Sequence, residues 1–161
     1  MMKSVKIQKL TRENFAPFGD VLAMDGRADK IINQGQCERF HDRAVLQFGE
    51  GGRAGISIFN ANIRCLPYEL TLMERHPEGS QAFLPMTDDP FLVIVAPDNN
   101  DKPGMPVAFV TDGTQGVNYH RGTWHGVLTP LAGSGLFAVV DRIGQTPNLE
   151  EISFDTPYIV A

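Results

Sequence analysis

Cysteine is scarce in this 161-residue chain, which has only Cys37 and Cys65. They stand alone, with no CxxC spacing, so neither a disulfide framework nor a thiolate metal motif is indicated. Long apolar runs are lacking too. The longest, Phe91 to Ala96, is far shorter than the roughly 20 residues a membrane-spanning helix needs. No stretch is rich in Lys or Arg, and no aromatic residues interleave with basic ones, which argues against nucleic acid as a partner. The net charge of −5 is mild. It leaves a small anionic substrate open, because a local pocket can be positive on an acidic protein. The opening residues, Met1-Met2-Lys3-Ser4-Val5-Lys6, have no apolar stretch behind their charges. We therefore expect no secretory signal, reduced thiols and a cytoplasmic protein. Repeats, linkers and low-complexity segments are missing, so residues 1–161 read as one domain, long enough to bury about 70% of its surface.

What is present is a series of short apolar or alternating runs. Val5–Leu10, Val21–Met24, Ala44–Phe48, Ala54–Asn60, Leu70–Met73, Gln81–Met86, Val107–Thr111, Leu136–Arg142 and Glu151–Phe154 each read as a strand. Lys30–Gly35 and Cys37–Asp42 fall between these runs; the second alternates Cys37, Arg39 and His41 on one face with Glu38, Phe40 and Asp42 on the other. Phe91–Ala96 is apolar throughout, as a strand buried on both faces is. Thr11 caps a short helix ending near Phe15, with Leu10 and Phe15 spaced for a hydrophobic staple. The Pro- and Gly-containing stretch from Pro97 to Pro106 is the internal segment expected to be most mobile. Many short strands with turn signals every eight to twelve residues predict an all-β barrel or sandwich.

The chemistry-bearing residues gather in two polar stretches. In Glu74-Arg75-His76-Pro77-Glu78-Gly79-Ser80-Gln81, a strand would place Glu74 and His76 on one face. Pro77 and Gly79 then break it, and Gln81 can return on the next strand. In Tyr119-His120-Arg121-Gly122-Thr123-Trp124-His125, the odd spacing puts His120 and His125 on opposite faces of a flat strand. Both can point inward only if the Arg121–Gly122 step bends. Two histidines with a Glu and a Gln would suit a first-row divalent ion, although neither HxH nor HExxH is present. A histidine beside a carboxylate would equally suit metal-free acid–base work near neutral pH. Arg39 and His41, sharing one face, could contact an anion. Solvated histidines on a polar tip remain the plain alternative.

Glu74-Arg75-His76-Pro77-x-Gly79-x-Gln81-Ala82-Phe83-x-Pro85 resembles the first signature of the ureidoglycolate lyase family. Asp112-Gly113-x-Gln115-Gly116-Val117-Asn118-Tyr119-His120-Arg121-x-x-Trp124-His125 resembles the second. Phe18-Gly19-Asp20-Val21, Glu38-Arg39-Phe40-His41-Asp42 and Asp141-Arg142 match further parts of that pattern, in the same order along nearly the whole chain. The resemblance implies a cupin-like β-barrel (double-stranded β-helix or jelly roll) with a few short helices, forming a homodimer. It implies cleavage of ureidoglycolate to glyoxylate and urea in purine breakdown. It also implies a central set of His76, His125, Gln81 and Glu74, which could hold a divalent metal, nickel in particular. His120 would be an acid or base. Arg39, His41 and Arg75 would hold the substrate carboxylate, and Asp141 would orient a histidine. Relative to the general cupin pattern, Glu74 replaces one ligand histidine and Gln81 the ligand glutamate, so a metal-free site stays open. A silent carboxylate-binding module and a hydrolase releasing ammonia are the competing functions.

Overall fold

A computed structural model describes residues 3–161. Met1 and Met2, which open the segment read above for a secretory signal, lie outside the described residues. The chain begins with β1 (Lys3–Val5), β2 (Ile7–Lys9), α1 (Arg12–Phe15), β3 (Gly19–Leu22), β4 (Lys30–Ile32) and β5 (Cys37–Arg39). It continues with β6 (Arg53–Asn60), β7 (Tyr68–Arg75), β8 (Gln81–Pro85), β9 (Phe91–Ala96) and β10 (Val107–Val110). The last strands are β11 (Gly116–Tyr119), β12 (Trp124–His125), β13 (Thr129–Pro130), β14 (Leu136–Ile143) and β15 (Glu150–Val160).

These strands form an eight-stranded sheet in the order β1-β15-β7-β12-β9-β10-β2, with β13 also on β9, and a five-stranded sheet β3-β11-β8-β14-β6. The strands β4 and β5 pair only with each other. The two edges of the large sheet, β1 and β2, are separated by Lys6 alone. β1 pairs parallel with β15 and β2 parallel with β10. The Ile7 N–H donates to the Ala161 carbonyl, and the Ala161 N–H to Val5. One N-terminal strand thus forms both edges, and the sheet curls into a nearly closed barrel. The fold is the cupin-like all-β barrel with few short helices that was expected.

Strand β9 explains the two cores. Its odd-numbered Phe91, Val93 and Val95 join Phe83, Val117, Tyr119, Phe137 and Val139 between the two sheets. Its even-numbered Leu92, Ile94 and Ala96 join Leu70, Met73, Trp124, Tyr158 and Val160 within the curl of the large sheet. A strand packed on both faces must be apolar at every position, and all of β9 is buried.

A helix as short as α1 does not persist alone. Phe15, fully buried, packs in the same cluster as Leu10, and Thr11 and Asn14 form a reciprocal capping box. Packing and the cap together hold the turn.

Three expectations are corrected. Ala44–Phe48 forms no ladder. It crosses the outer face of the small sheet, bonding to side chains: Val45 N–H donates to Asp20, Asn118 donates to the Val45 carbonyl, and Gln47 N–H donates to Ser80 Oγ. The backbone of Val45 and Gln47 is thus satisfied without a strand partner, so the segment's alternating pattern is not tied to a sheet. The strand around Glu151–Phe154 runs on to Val160, past a break in register between Ser153 and Tyr158. Finally, β7 and β8 are not a hairpin. β7 belongs to the large sheet and β8 to the small one, so the Pro77–Ser80 turn carries the chain between layers.

Thr11→Ala removes one half of the capping box. We expect a loss of about 1 kcal/mol in urea unfolding, the usual size for an N-cap. No change would mean that packing of Phe15 alone holds α1.

Candidate active site

Two cross-strand rows build the site. On the large sheet, β12 sets His125 opposite Glu74 of β7 and Val95 of β9. On the small sheet, Tyr119, Gln81 and Asp141 lie directly side by side on β11, β8 and β14. Val95 and Tyr119 share the core between the sheets, so both rows face the same interior. His76, just past β7, lies where the chain leaves one layer for the other.

The donor atoms of Glu74, His76 and His125 all lie within 4.8 Å of one another. His76 Nδ1 bonds the Asn148 carbonyl at 2.7 Å, and its Nε2 lies 3.0 Å from Gln81 Oε1. The Gln81 amide nitrogen donates to Asp141 Oδ2 at 3.1 Å, which turns the amide oxygen toward His76. Both ring nitrogens of His76 therefore face oxygen acceptors, and the ring is set to donate from either side.

His125 is the opposite case. It stacks on Tyr119, with centroids 4.2 Å apart and planes 3° from parallel. Its Nδ1 donates to the Gly126 carbonyl, and its buried Nε2 has no partner. Burial, and then the charge of His76, push its pKa down to about 3. The ring is neutral across the working pH range and keeps a lone pair on Nε2. Although Nδ1 lies 3.9 Å from Glu74, the pair is not an ion pair, because that N–H is spent on Gly126. Burial raises the Glu74 carboxyl above its ordinary value. The charge of His76 opposes the rise, and that of Glu151, its neighbour across β15, adds to it. Burial, with Glu74 nearby, pushes the Tyr119 hydroxyl upward, so it stays protonated.

The donor set fits a first-row divalent cation: two imidazoles and a carboxylate converge, and one nitrogen is a buried lone pair without a partner. Glu74, His76 and His125 would hold the ion, with Gln81 beside them.

A family model described as ureidoglycolate lyase matches residues 2–161. The chain belongs to the ureidoglycolate lyase family. It is 52% identical to a ureidoglycolate lyase of Rhodobacter capsulatus, over 99% of both chains. It is 49% identical to one from a Chelativorans species, over 98% of this chain and 96% of that one. Identity to ureidoglycolate lyase 1 of Rhizobium meliloti is 47%, over 99% and 95% of the two chains.

Other residues singled out in the sequence lie elsewhere. Gly122, at φ +78°, does bend the chain, and Thr123 N–H closes the turn on the His120 carbonyl. The bend brings His125 inward but leaves His120 on the side of Asp20, its Nε2 3.2 Å from Asp20 Oδ1. His120 is therefore outside the cluster that spacing alone allowed it to join. Arg75 turns away from Glu74, over the Trp124 ring, and its guanidinium is taken by Asp98, Asp101 and Glu150. Asp98 also accepts from Trp124 Nε1, so the base of the Pro97–Pro106 loop is tied down. Arg39 and His41 are exposed, and neither side chain bonds to the cluster. Asp141 orients Gln81, which in turn faces His76. Sequence reasoning missed Asn148 and Tyr119. Tyr119 could have been found from its place beside His120 in the second motif, whereas Asn148 carries no local signal.

His125 makes stability depend on acid. Its folded pKa of about 3 lies below the ordinary 6.5, so the unfolded chain takes up that proton first. Stability is complete above about 6.5 and falls as pH drops toward about 3. Urea midpoints measured across this range should show a shallower acid limb for His125→Phe, and an identical limb would contradict a buried neutral ring. Glu74 has the reverse sign. Its raised folded value favours the protonated form, and that stability is lost as pH rises through it. Glu74→Gln should raise Tm by a few degrees at pH 7 in chelator. A lower Tm would show that the Glu74 charge is compensated.

Proposed function

We propose that the protein is a ureidoglycolate lyase, a carbon–nitrogen lyase that cleaves ureidoglycolate to glyoxylate and urea, acting as a cytoplasmic homodimer. The observation that carries this reading is the convergence of a proton-accepting carboxylate, a two-sided donor and a buried lone pair at Glu74, His76 and His125. The substrate carbon bears a hydroxyl, a carboxylate and the urea nitrogen. Glu74, its pKa raised by burial toward the working range, takes the hydroxyl proton. The new carbonyl forms as the C–N bond breaks, and the electron pair leaves on the urea nitrogen. His76 supplies the proton that nitrogen needs. No water is consumed, so the step is an elimination. His125 does not carry a proton in this scheme: a ring with a pKa of about 3 serves as a lone-pair acceptor or ligand.

The proton roles of Glu74 and His76 belong to the metal-free site; a divalent cation, nickel on the family resemblance, would instead be held by them with His125 and would polarise the substrate hydroxyl and carboxylate. Asp141 and Gln81 hold His76 in place, and Tyr119 backs His125. Arg75 is spent on three acids, and Arg39 and His41, both exposed, remain the residues to which the resemblance assigns the substrate carboxylate.

The test is a product balance. Purified protein, before and after chelation, is given ureidoglycolate, and glyoxylate, urea and ammonia are quantified against the spontaneous rate. Equal glyoxylate and urea are expected. His76→Ala and His125→Ala should each cut turnover at least about 100-fold. Ammonia in place of urea would make the protein a hydrolase. Saturable thermal stabilisation without product would make it a binding module, and near-normal turnover in both variants would overturn the site.

A further inference from the structure

The Pro77–Ser80 turn is not the only crossing at its end of the molecule. The chain from β14, in the small sheet, to β15, in the large one, crosses there too. The same pairings flank both crossings: Gln81 lies opposite Asp141 on β8 and β14, and Arg75 opposite Glu150 on β7 and β15. Every residue from Ile143 to Glu151 is exposed except Asn148, which is half-buried. Its side chain turns in, and Oδ1 accepts the Glu78 N–H at 2.7 Å. Its carbonyl meets His76 Nδ1, also at 2.7 Å. The ends of this segment are pinned separately. Arg142 donates to Thr146 Oγ1, and Glu150 accepts from Arg75. Between those pins lie Pro147, Asn148 and Leu149, and it is Asn148 that bonds to the Pro77–Ser80 turn.

These two bonds decide which nitrogen of His76 the site receives. A carbonyl oxygen can only accept, so a proton must sit on Nδ1 for that bond to form. With Nδ1 taken, Nε2 is the nitrogen left for Gln81 and the cluster. It is the atom that donates in the metal-free site, and the one that would ligate a cation. The hydrogen bond at the far nitrogen of a histidine fixes both the tautomer and the ring orientation. The placement of the His76 ring therefore depends on where the Asn148 carbonyl stands. That carbonyl lies in an exposed segment, and the Asn148 side chain is what ties it to the turn beyond His76.

We infer that Asn148 is a positioning residue for the reaction: its side chain anchors the β14–β15 crossing to the Glu78 backbone, so that its carbonyl holds the His76 ring with Nε2 toward the reacting groups. The inference rests on the lyase reading above, in which His76 acts on the substrate, and adds the residue that aims it. Asn148 acts through His76 and not on the substrate. Its loss should therefore weaken the chemical step and leave ground-state binding nearly as it was.

Asn148→Ala removes the anchor and keeps the carbonyl. It should lower kcat by roughly 10–100-fold, the usual cost of losing such an outer partner, with KM little changed. Asn148→Asp keeps an oxygen for the Glu78 N–H and should restore most of kcat. Leu149→Ala, at the exposed neighbour, should behave as wild type. The altered segment is exposed, so all three should keep their near-ultraviolet circular dichroism. A second readout needs no substrate. In the full chain carrying nitrogen-labelled histidine and kept in chelator, the signal missing from His76→Ala identifies the His76 Nδ1 proton. It should exchange slowly in wild type and Asn148→Asp, and be lost to rapid exchange in Asn148→Ala. A slowly exchanging proton in Asn148→Ala would overturn the proposal. So would an unchanged kcat in that variant, a kcat as low in Asn148→Asp, or an equal loss in Leu149→Ala. A wild type without turnover would overturn the lyase reading alone, and the ring signal would still decide whether Asn148 holds His76.

Discussion

The passage of the chain from one sheet to the other between Pro77 and Ser80 is the constraint on which the site depends. If β7 and β8 were hairpin neighbours, Glu74, His76 and Gln81 would lie along one surface and meet solvent. Because the turn crosses layers, Glu74 stays with the large sheet and Gln81 joins the small one, and His76 lies between them. The turn is clamped on both sides. Ser80 N–H donates to the Gln47 carbonyl, Gln47 N–H to Ser80 Oγ, and Glu78 N–H to the Asn148 side chain. Gly79 passes so close that a Cβ there would meet the Gln47 carbonyl and the Arg142 side chain at 2.9 Å. Arg142 holds the far side, donating to the carbonyls of Phe48 and Glu50 and to Thr146.

The site departs from the rule that buried polar atoms find partners. Asp141, Gln81, His76 and Asn148 form a linked chain: Gln81 donates to Asp141, and the His76 ring faces Gln81 Oε1 on one side and the Asn148 carbonyl on the other. His125 Nε2 has no such partner. Leaving a buried polar atom unpaired costs about 1–3 kcal/mol, and a stacked aromatic pair returns about 0.5–1.5 kcal/mol. The stack on Tyr119 therefore offsets only part of the cost. What remains is stability forgone to keep a lone pair dry and available. Among the described residues, the other unpaired buried side-chain atoms, on Arg43 and Asn118, belong to the surroundings of Asp20 and His120.

The residues that a local rule controls were legible in the sequence. Thr11 and Phe15, the unbroken apolarity of β9 and the glycine bend at Gly122 each follow from a short-range preference. The layers were not legible, because no local signal distinguishes a hairpin turn from a crossing turn. The same gap explains the misplaced side chains. Arg75 adjoins Glu74 in sequence, yet strand alternation sends it to the opposite face, where three acids from distant segments wait. His120 adjoins Tyr119 and is sent outward for the same reason. Asn148 meets His76 through its backbone carbonyl, which any residue carries, so its identity could not announce that contact. The segment around Val45 has a strand's apolar pattern, but its hydrogen bonds go to side chains far away in sequence.

Alternation also ties the site to the outer surface. On β14, Phe137, Val139 and Asp141 point inward, while Ala138 and Val140 point outward beside Ile58 and Ile56. One strand thus forms the wall that positions Gln81 on one side and the floor of the outer face on the other. Residues 45–48 bond to Asp20, Asn118, Ser80 and Arg142, and they carry Val45 and Leu46 into the outer face. The same segment clamps the Pro77–Ser80 turn through Gln47, so the outer face and the catalytic geometry share one piece of backbone.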